Sequence, residues 1–370
     1  MTLKVDTITN VAGTGAPNIP DGVTIAGTAL ASVNQMEYTS SGSEPTSPAD
    51  GALWWDSGSA LFKMYVNNAW YEVTTTPPPV WYGSRGVIGG GQYGVNLNTN
   101  VIDYVTIATA GNATDFGDLT LARKGFDVCS NGTRGVFTGG ASTSNSGFNT
   151  IDYITIATTG NAIDFGDLTS ARRLVATCSD GIYGVIGGGV GSNVMDYITI
   201  ATVGNATDFG DLLTNVHSMG ACSDATRGVF AGGNAGVDPY YSNVIQYITI
   251  ASPGNSTDFG DLTVGRRELG SSSSKTRGLF GGGHDSAYSN VIDYITIAST
   301  GNATDFGDLT VARYNVTSAS SGTRAFWAGG ASGSAYMNDI DYVTIDTTGN
   351  ATDFGDLTLS RNAPAAGSGG

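Results

Sequence analysis

One phrase recurs six times along this chain, and its spacing constrains the fold more than any other feature. The Asp-Phe-Gly triplets begin at residues 115, 164, 208, 258, 305 and 353, so the intervals are 49, 44, 50, 47 and 48 residues. Each repeat contains short β-type segments separated by Gly, Asn and Asp turns. Repeats of this length built from short strands are typical of propeller blades. The sequence therefore predicts an all-β fold, a six-bladed β-propeller.

The repeats differ in length at one place only. The segment from the first residue of the Ile-Asp-Tyr motif to the Asp of Asp-Phe-Gly always spans 13 residues, as from Ile102 to Asp115. From that Asp to the second glycine of the next Gly-Gly pair the span is always 25, as from Asp115 to Gly140. The loop between each Gly-Gly pair and the next Ile-Asp-Tyr motif contains 10, 10, 5, 11, 8 and 9 residues in the six repeats. Strands do not tolerate a one-residue slip whereas loops accept insertions, so the constant parts are predicted to be sheet. All six variable loops follow the same strand, and we expect them on one face.

The repeat also predicts how the ring closes. Gly370 occupies the repeat position of Gly132, and Ser84 occupies that of Thr133. Residues 84–370 therefore make six whole repeats, and we expect strands from both ends to complete one blade. A closed ring leaves no exposed sheet edge that could pair with another chain.

Four strands are predicted in each repeat from β-branched and aromatic residues. In one repeat they are the segments 134–140, 151–157, 164–168 and 173–179, which we expect to form one blade. A double glycine, a Tyr, an aromatic-x-x-Leu and an Arg recur in fixed order, as Gly139-Gly140, Tyr153, Phe165, Leu168 and Arg172. This order resembles kelch-type propellers, although Phe stands where kelch blades usually carry Trp and Val216 replaces the Arg once. The resemblance implies a fold and no particular function, because propellers host many functions.

Charged residues follow the repeat as well. The aspartates could form a ring of hard oxygen ligands for calcium. Alternatively, they cap turns and accept hydrogen bonds from arginine within or between blades. We favour the second interpretation, because most nearby polar positions have turn chemistry, and we predict no metal site. Ten of the twelve arginines occupy two repeat positions, namely 123, 172, 266, 313 and 361, and 85, 134, 227, 277 and 324.

The three cysteines share one repeat position. Cys129, Cys178 and Cys222 each lie 10 residues after the Leu of Asp-Phe-Gly-Asp-Leu. The other repeats carry Ser, Ala and Gly there, so the position favours a small residue. We expect reduced, packed side chains rather than disulfides or metal ligands.

Composition argues against several classes of function. The chain has 16 Lys and Arg against 32 Asp and Glu, a net charge of −16, which disfavours nucleic acid or anionic lipid as the main partner. It has no run of about 18 apolar residues for membrane insertion and no signal peptide at its start. His217 and His284 lie in different blades, without a phosphate loop or a hydrolase motif. We therefore expect no enzyme and no cofactor; a carboxylate pair across the propeller axis is the enzymatic alternative.

The first 83 residues differ in kind from the repeats. Residues 1–35 are too few to bury a core alone, 36–73 include a small β meander, and 74–83 form a stiff Pro-rich linker to the propeller at 84–370. The stretches LKVDTITNVAGTGAPNIPDGVTIAG and PTSPADGALWWDSGSALFKMYVNNAWYEV resemble segments of bacteriophage virion proteins, in particular tail-fibre-like structural proteins. The resemblance implies a virion protein made in the host cytoplasm. Residues 1–73 would contact other tail or fibre proteins, in a homo-oligomer for which a trimer is one option.

These features combine into a functional hypothesis, in which the arm anchors the chain and the propeller is displayed for host attachment. The variable loops are rich in Tyr, Ser, Gly and Asn, which adaptable binding loops favour. We predict a host cell-surface receptor of the glycan type, because aromatic rings and amides suit sugars. Ordinary solvated loops, or a purely structural decoration or adaptor protein of the tail or head, are the alternatives. The candidate ligand-binding residues are Tyr93, Phe148, Tyr240, Tyr241, His284, Tyr288 and Tyr336.

Overall fold

A computed structural model of this protein describes residues 82–236 and 240–369 together with short N-terminal segments. Those segments are 24–25, 28–29, 38–41, 45–46, 48, 52–56, 61–66 and 69–72. The chain divides into two compact units, Met1–Pro78 and Pro79–Gly370. The described residues are all β, and no helix among them is long and apolar enough to cross a membrane. Most of the predicted linker and of residues 1–35 lies outside the described residues.

The N-terminal unit contains a four-stranded sheet. Its strands Leu53–Asp56, Leu61–Val66 and Ala69–Glu72 form an antiparallel meander. Tyr38–Ser41 pairs in parallel with the first of them, an addition to the predicted meander. Trp54 is buried, and Lys63 Nζ lies 4.8 Å from the centroid of its ring. A separate two-stranded ribbon pairs Thr24–Ile25 with Thr28–Ala29.

The second unit is a six-bladed β-propeller, which confirms the predicted fold. Each blade is a four-stranded antiparallel sheet, and the innermost strands of neighbouring blades contact one another around the axis. From the innermost strand outward, blade 1 contains Ala365–Gly369, Arg85–Gly89, Val101–Thr106 and Thr114–Asp118; blade 2 Asp127–Ser130, Arg134–Thr138, Phe148–Thr155 and Ile163–Arg172; and blade 3 Ala176–Ser179, Tyr183–Gly187, Val194–Thr199 and Thr207–Asp211. Blade 4 contains Gly220–Ser223, Arg227–Ala231, Val244–Thr249 and Thr257–Asp261; blade 5 Gly270–Ser273, Arg277–Gly281, Val291–Thr296 and Thr304–Asp308; and blade 6 Thr317–Ser320, Arg324–Ala328, Asp339–Thr344 and Thr352–Asp356.

The assignment of one strand to its blade was wrong in the prediction. The segment 173–179, expected as the fourth strand of blade 2, forms the innermost strand Ala176–Ser179 of blade 3. The local hairpin decides this pairing. Asp180 Oδ1 accepts hydrogen bonds from Ile182 N at 2.8 Å and Tyr183 N at 2.7 Å, and this tight turn joins the strand to Tyr183–Gly187.

Blade 1 closes the ring with strands from both ends, as the repeat spacing predicts. Ala365–Gly369 pairs antiparallel with Arg85–Gly89. A cyclic hydrogen-bond network of six equivalent serines runs around the axis and includes this joint. Each hydroxyl donates to the backbone carbonyl of the equivalent serine in the preceding blade, over 2.5 to 2.8 Å. The six are Ser130, Ser179, Ser223, Ser273, Ser320 and Ser368.

The recurring Asp-Phe-Gly phrase has a structural cause. In blade 1, Ile102 pairs with Gly117 and Asp103 pairs with Asp115, so Phe116 is the extra residue of a β-bulge. Phe116 is buried, and Gly117 has a φ of 147°. A Cβ atom on Gly117 would lie 2.5 Å from the carbonyl oxygen of Gly160 in the next blade. The phrase therefore recurs because each blade-to-blade contact needs a bulge that ends on glycine.

Buried ion pairs join five of the six connectors to the blades that they enter, which confirms the Arg–Asp interpretation. Each aspartate also accepts a hydrogen bond from a connector threonine, as Asp341 does from Thr310 Oγ1 at 2.6 Å. The described residues contain no group of three or more His, Cys, Asp or Glu placed to hold a metal ion. The pairs are Arg123–Asp152, Arg172–Asp196, Arg266–Asp293, Arg313–Asp341 and Arg361–Asp103.

Blade 4 replaces the whole ion-pair set with uncharged residues. Val216, Gln246 and Leu213 stand where blade 6 has Arg313, Asp341 and Thr310. Gln246 Oε1 accepts hydrogen bonds from Leu213 N at 2.9 Å and from Ser256 Oγ at 2.7 Å. Ser256 itself stands where blade 6 has Ala351. The missing arginine is thus one of four coordinated changes.

Two further sets of repeated side chains connect neighbouring blades. Arginines of the second strands lie 4.3 to 4.8 Å from the ring centroid of a tyrosine in their own blade and donate to a carbonyl of the next blade. In all six blades the Asn of the Gly-Asn turn accepts a hydrogen bond from a backbone N–H of the preceding blade, as Asn161 Oδ1 does from Asp118 N at 3.0 Å. These side chains serve the scaffold.

The cysteines are free and buried, in agreement with the prediction of packed thiols. Each sulfur faces a glycine of the next blade, namely Gly184, Gly228 or Gly278, where an added Cβ would come within 2.4 Å of it. Burial raises the pKa of the Cys129 thiol to about 12. The narrow space at this contact between blades therefore explains why the repeat position of the cysteines holds only small residues.

Candidate ligand-binding face

The six variable loops and the six connectors between blades share one face, which we call the variable-loop face. Isolated β-bridges tie connectors to loops, as between Arg267 and His284 and between Tyr314 and Ala331. Two loops fold into small hairpins, Gln92–Gly94 with Leu97–Asn98 and Ala331–Ser332 with Ala335–Tyr336. These two loops are thus more ordered than the open loops expected from the sequence.

Four rings from blades 4 to 6 form an aromatic cluster on this face, which consists of Tyr241, His284, Tyr288 and Tyr314. Tyr288 and Tyr314 are stacked, with ring centroids 5.1 Å apart and an interplanar angle of 14°. The His284 ring lies 5.5 Å from Tyr241, 5.6 Å from Tyr288 and 6.0 Å from Tyr314. Tyr288 is 40% exposed. The cluster therefore presents an aromatic surface with an imidazole at its centre.

Charged groups border the aromatic cluster. The Arg267 guanidinium lies 5.6 Å from the Tyr241 ring centroid, and its Nε is 3.9 Å from Glu268 Oε1. Burial raises the pKa of the Glu268 carboxyl, while Arg267 and His284 oppose that rise. Arg267 Nε and His284 Nδ1 are buried without a hydrogen-bond partner among the described residues. The site therefore contains polar atoms that a ligand could satisfy.

The structure brings together three of the seven predicted ligand-binding residues. Tyr241, His284 and Tyr288 meet in the aromatic cluster. Tyr336 of the adjacent hairpin helps to raise the pKa of Tyr314, after burial, Tyr288 and Glu268. Tyr93 lies in the blade 1 hairpin, Phe148 begins a strand of blade 2, and Tyr240 is 53% exposed beside the cluster. Tyr314 was missed, because it belongs to a connector rather than to a variable loop.

Exposed apolar side chains are unevenly distributed between the two faces. Of the thirteen large hydrophobic residues exposed in the described part of the chain, ten lie on the variable-loop face. The variable-loop face is therefore the more apolar of the two faces among the described residues. The ten are Tyr93, Val95, Leu97, Leu121, Val190, Leu213, Tyr240, Val264, Tyr288 and Val311; the other three are Ile163, Ile182 and Val203.

A second cyclic hydrogen-bond network surrounds the axis at the variable-loop face. Six connector residues have left-handed backbones with φ between 51° and 62°. Each N–H donates to the carbonyl of the preceding member, over 2.6 to 3.2 Å. The conformation costs about 1–2 kcal/mol for a residue with a side chain, and the network holds five such residues in it. The six are Gly125, Leu174, Ser218, Glu268, Asn315 and Ala363.

Below this network an axial cavity of about 150 Å³ lies between the six innermost strands and reaches Tyr82. Asp127 is the only carboxylate in those six strands. Its Oδ2 accepts hydrogen bonds from Thr177 N at 2.7 Å and Thr177 Oγ1 at 3.2 Å. Burial raises its pKa to about 7, against the effect of these hydrogen bonds.

Neither a protein-family model nor a curated protein matches this chain. The case for a ligand-binding role therefore depends on the geometry of the variable-loop face.

Proposed function

We propose that this chain is a bacteriophage virion protein of the tail or a tail fibre, whose propeller binds a glycan receptor on the host cell surface. The virion part of the proposal rests on the resemblance of segments within residues 1–73. The observation that carries the glycan-binding part is the aromatic cluster, in which Tyr288 and Tyr314 stack beside His284 and Arg267. Flat apolar rings next to hydrogen-bonding groups fit the two sides of a sugar. Unlike the turn asparagines, which recur in all six blades, these ring and charged side chains occur in only some of the blades.

The path of the chain supports display of this face. Tyr82 lies against Gly322, in the turn between the two inner strands of blade 6, so the chain enters the propeller on the opposite face. The first strand, Arg85–Gly89, then runs toward the variable loops. In this proposal, residues 1–73 contact the rest of the virion, and the variable loops remain available to the receptor.

Binding of the purified full-length protein to cells of the bacterial host tests the proposal. The double variant Tyr241→Ala/Tyr288→Ala should bind cells at least tenfold more weakly, because each aromatic contact contributes about 0.5–1.5 kcal/mol beyond its area. Ile163→Ala is the control, because this exposed apolar side chain lies on the opposite face, and the variant should bind normally.

Equal binding by the double variant and the wild type would overturn the assignment of this site. If the protein does not bind cells but binds other virion proteins through the variable-loop face, a purely structural decoration or adaptor protein is favoured instead. Thermal unfolding of each variant checks that the propeller remains intact.

A further inference from the structure

Ten of the fourteen basic residues of the propeller have scaffold roles. Of the 16 Lys and Arg, Lys4 and Lys63 precede the propeller, which leaves 14. Five form the buried ion pairs and five stack on tyrosines. The four that remain are Lys124, Arg173, Arg267 and Lys275.

Three of these four occupy one repeat position on the variable-loop face. The position directly follows that of the buried arginine, and in consecutive connectors it holds Lys124, Arg173, His217 and Arg267. We call these four residues the basic arc. Each precedes a member of the hydrogen-bonded network around the axis, so the arc follows the rim of the axial cavity over four consecutive connectors. Tyr314 and Asn362 complete the circle.

The basic arc has few counter-charges. Within residues 82–236 and 240–369, neither Lys124 nor Arg173 forms an ion pair; Lys124 Nζ donates to Gln92 Oε1 at 2.8 Å. His217 Nδ1 lies 3.0 Å from Ser218 Oγ, and Arg267 has Glu268 at 3.9 Å. Burial and then Arg173 lower the pKa of Lys124, and burial, Arg173 and Arg267 lower that of His217. Lys124 and Arg173 are thus close enough to repel each other, and Arg173 and Arg267 both disfavour the charged form of His217, in a chain whose net charge is −16.

The arc meets the aromatic cluster at Arg267. The Arg267 guanidinium lies over the Tyr241 ring, and the Arg267 backbone forms a β-bridge with His284. Arg267 Nε has no hydrogen-bond partner among the described residues. A ligand whose sugar ring lies on the tyrosines would therefore place a substituent directed toward the rim next to Arg267, and beyond it His217 and Arg173. An anionic substituent would relieve the repulsion along the arc and could accept hydrogen bonds from the Arg267 guanidinium, whose side chain is 29% exposed.

We propose that the receptor is an acidic saccharide chain, whose successive carboxylate, sulfate or phosphate groups lie along Arg267, Arg173 and Lys124 while a sugar ring packs against the aromatic cluster. This inference rests on the proposed glycan-binding function and specifies the chemistry of the same site. It predicts that recognition depends on charge as well as on aromatic contact.

The probe is polygalacturonate, with its fully methyl-esterified form as the neutral match, titrated against the full-length protein by surface plasmon resonance. The acidic polymer should bind at least tenfold more tightly, and raising NaCl from 50 to 500 mM should remove most of that difference. Arg173→Gln/Arg267→Gln should lower affinity for the acidic polymer about tenfold or more, as expected for loss of charge-assisted hydrogen bonds. Lys275→Gln is the matched control. It removes the basic residue of the opposite face that has neither scaffold role, and it should have no effect on binding.

Binding to host cells distinguishes failure of the acidic-saccharide inference from failure of the proposed glycan-binding function. If cell binding requires Tyr241 and Tyr288 but is unchanged by Arg173→Gln/Arg267→Gln and by salt, the receptor is neutral and the acidic-saccharide inference is wrong. If no variant affects cell binding, the glycan-binding function itself fails. Equal binding of the acidic and esterified polymers would also refute the inference.

Discussion

Replacing Arg313 by valine should destabilise the propeller strongly, because it leaves a carboxylate buried without its partner. Arg313 Nη2 lies 3.0 Å from Asp341 Oδ2, and the two side chains are 0% and 1% exposed. The guanidinium also donates to the carbonyls of Asp339 and Trp327, each at 3.2 Å. Removing one partner of such a pair costs about 3–5 kcal/mol. At about 2 °C per kcal/mol for a large domain, the unfolding midpoint of Arg313→Val should fall by roughly 6–10 °C.

Blade 4 shows how the same site is built without charged residues, so its side chains indicate which changes should compensate for the loss of the arginine. The quadruple variant Thr310→Leu/Arg313→Val/Asp341→Gln/Ala351→Ser transfers the blade 4 set into blade 6. Replacing a whole buried pair by a matched uncharged set is often close to neutral, so the quadruple variant should lie within about 1 kcal/mol of the wild type. Thermal unfolding of the full-length proteins, followed by circular dichroism, measures both effects.

A reciprocal variant controls for position in the ring. Val216→Arg places a cation opposite Gln246 in blade 4, where no carboxylate receives it, and should also lower the midpoint by several degrees. The reasoning fails if Arg313→Val shifts the midpoint by less than about 2 °C. It also fails if the quadruple variant is no more stable than Arg313→Val. The unpaired Asp341 carboxylate would then not be the cause of the lost stability.

Two further predictions concern the axis and the joints between blades. The pKa of Asp127 is raised to about 7 in the folded state, against about 3.9 in an unfolded chain; the folded protein therefore keeps a proton that the unfolded chain loses, and stability falls as pH rises from about 4 to 7. Asp127→Asn should be more stable than the wild type at pH 8, by up to about 4 kcal/mol, and equal to it near pH 4; urea titrations that show a constant difference across this range would contradict the assignment. Gly228→Ala puts a Cβ 2.3 Å from Cys178 Sγ and should cost about 1–3 kcal/mol. Cys178→Ala should recover part of that loss in a thermal-shift assay, and an equal loss in both backgrounds would show that the sulfur is not the obstacle.

Spacing was enough to predict the blades because strand register leaves no freedom in length. The invariant spans from Ile102 to Asp115 and from Asp115 to Gly140 hold in every repeat, and both correspond to sheet, bulge and connector in the structure. Spacing does not reveal which blade a strand joins. The segment 173–179 has a fixed spacing to the strand before it and to the strand after it in every repeat. Its place is decided by the hairpin to Tyr183–Gly187.

The candidate site could be predicted only where the repeat varies. Tyr241, His284 and Tyr288 lie in loops that change in length, and that change indicated them. Tyr314 lies directly after the buried Arg313, at a position that looks like scaffold until the bridge to Ala331 places it beside the loops. The basic arc did have a signal in the sequence, because Arg173 and Arg267 are the two arginines outside the ten repeated ones.

The composite blade has a consequence for the order of folding. The strand Ala365–Gly369 is synthesised after every other blade strand, yet it pairs with Arg85–Gly89 and supplies Ser368 to the cyclic serine network. Until it emerges from the ribosome, the nascent propeller is an open arc whose inner edge at Arg85–Gly89 is unpaired. Contacts across so long a stretch of chain form slowly, and an unpaired edge attracts other strands. A propeller that lacks Ala365–Gly369 therefore exposes a sheet edge that this strand otherwise covers.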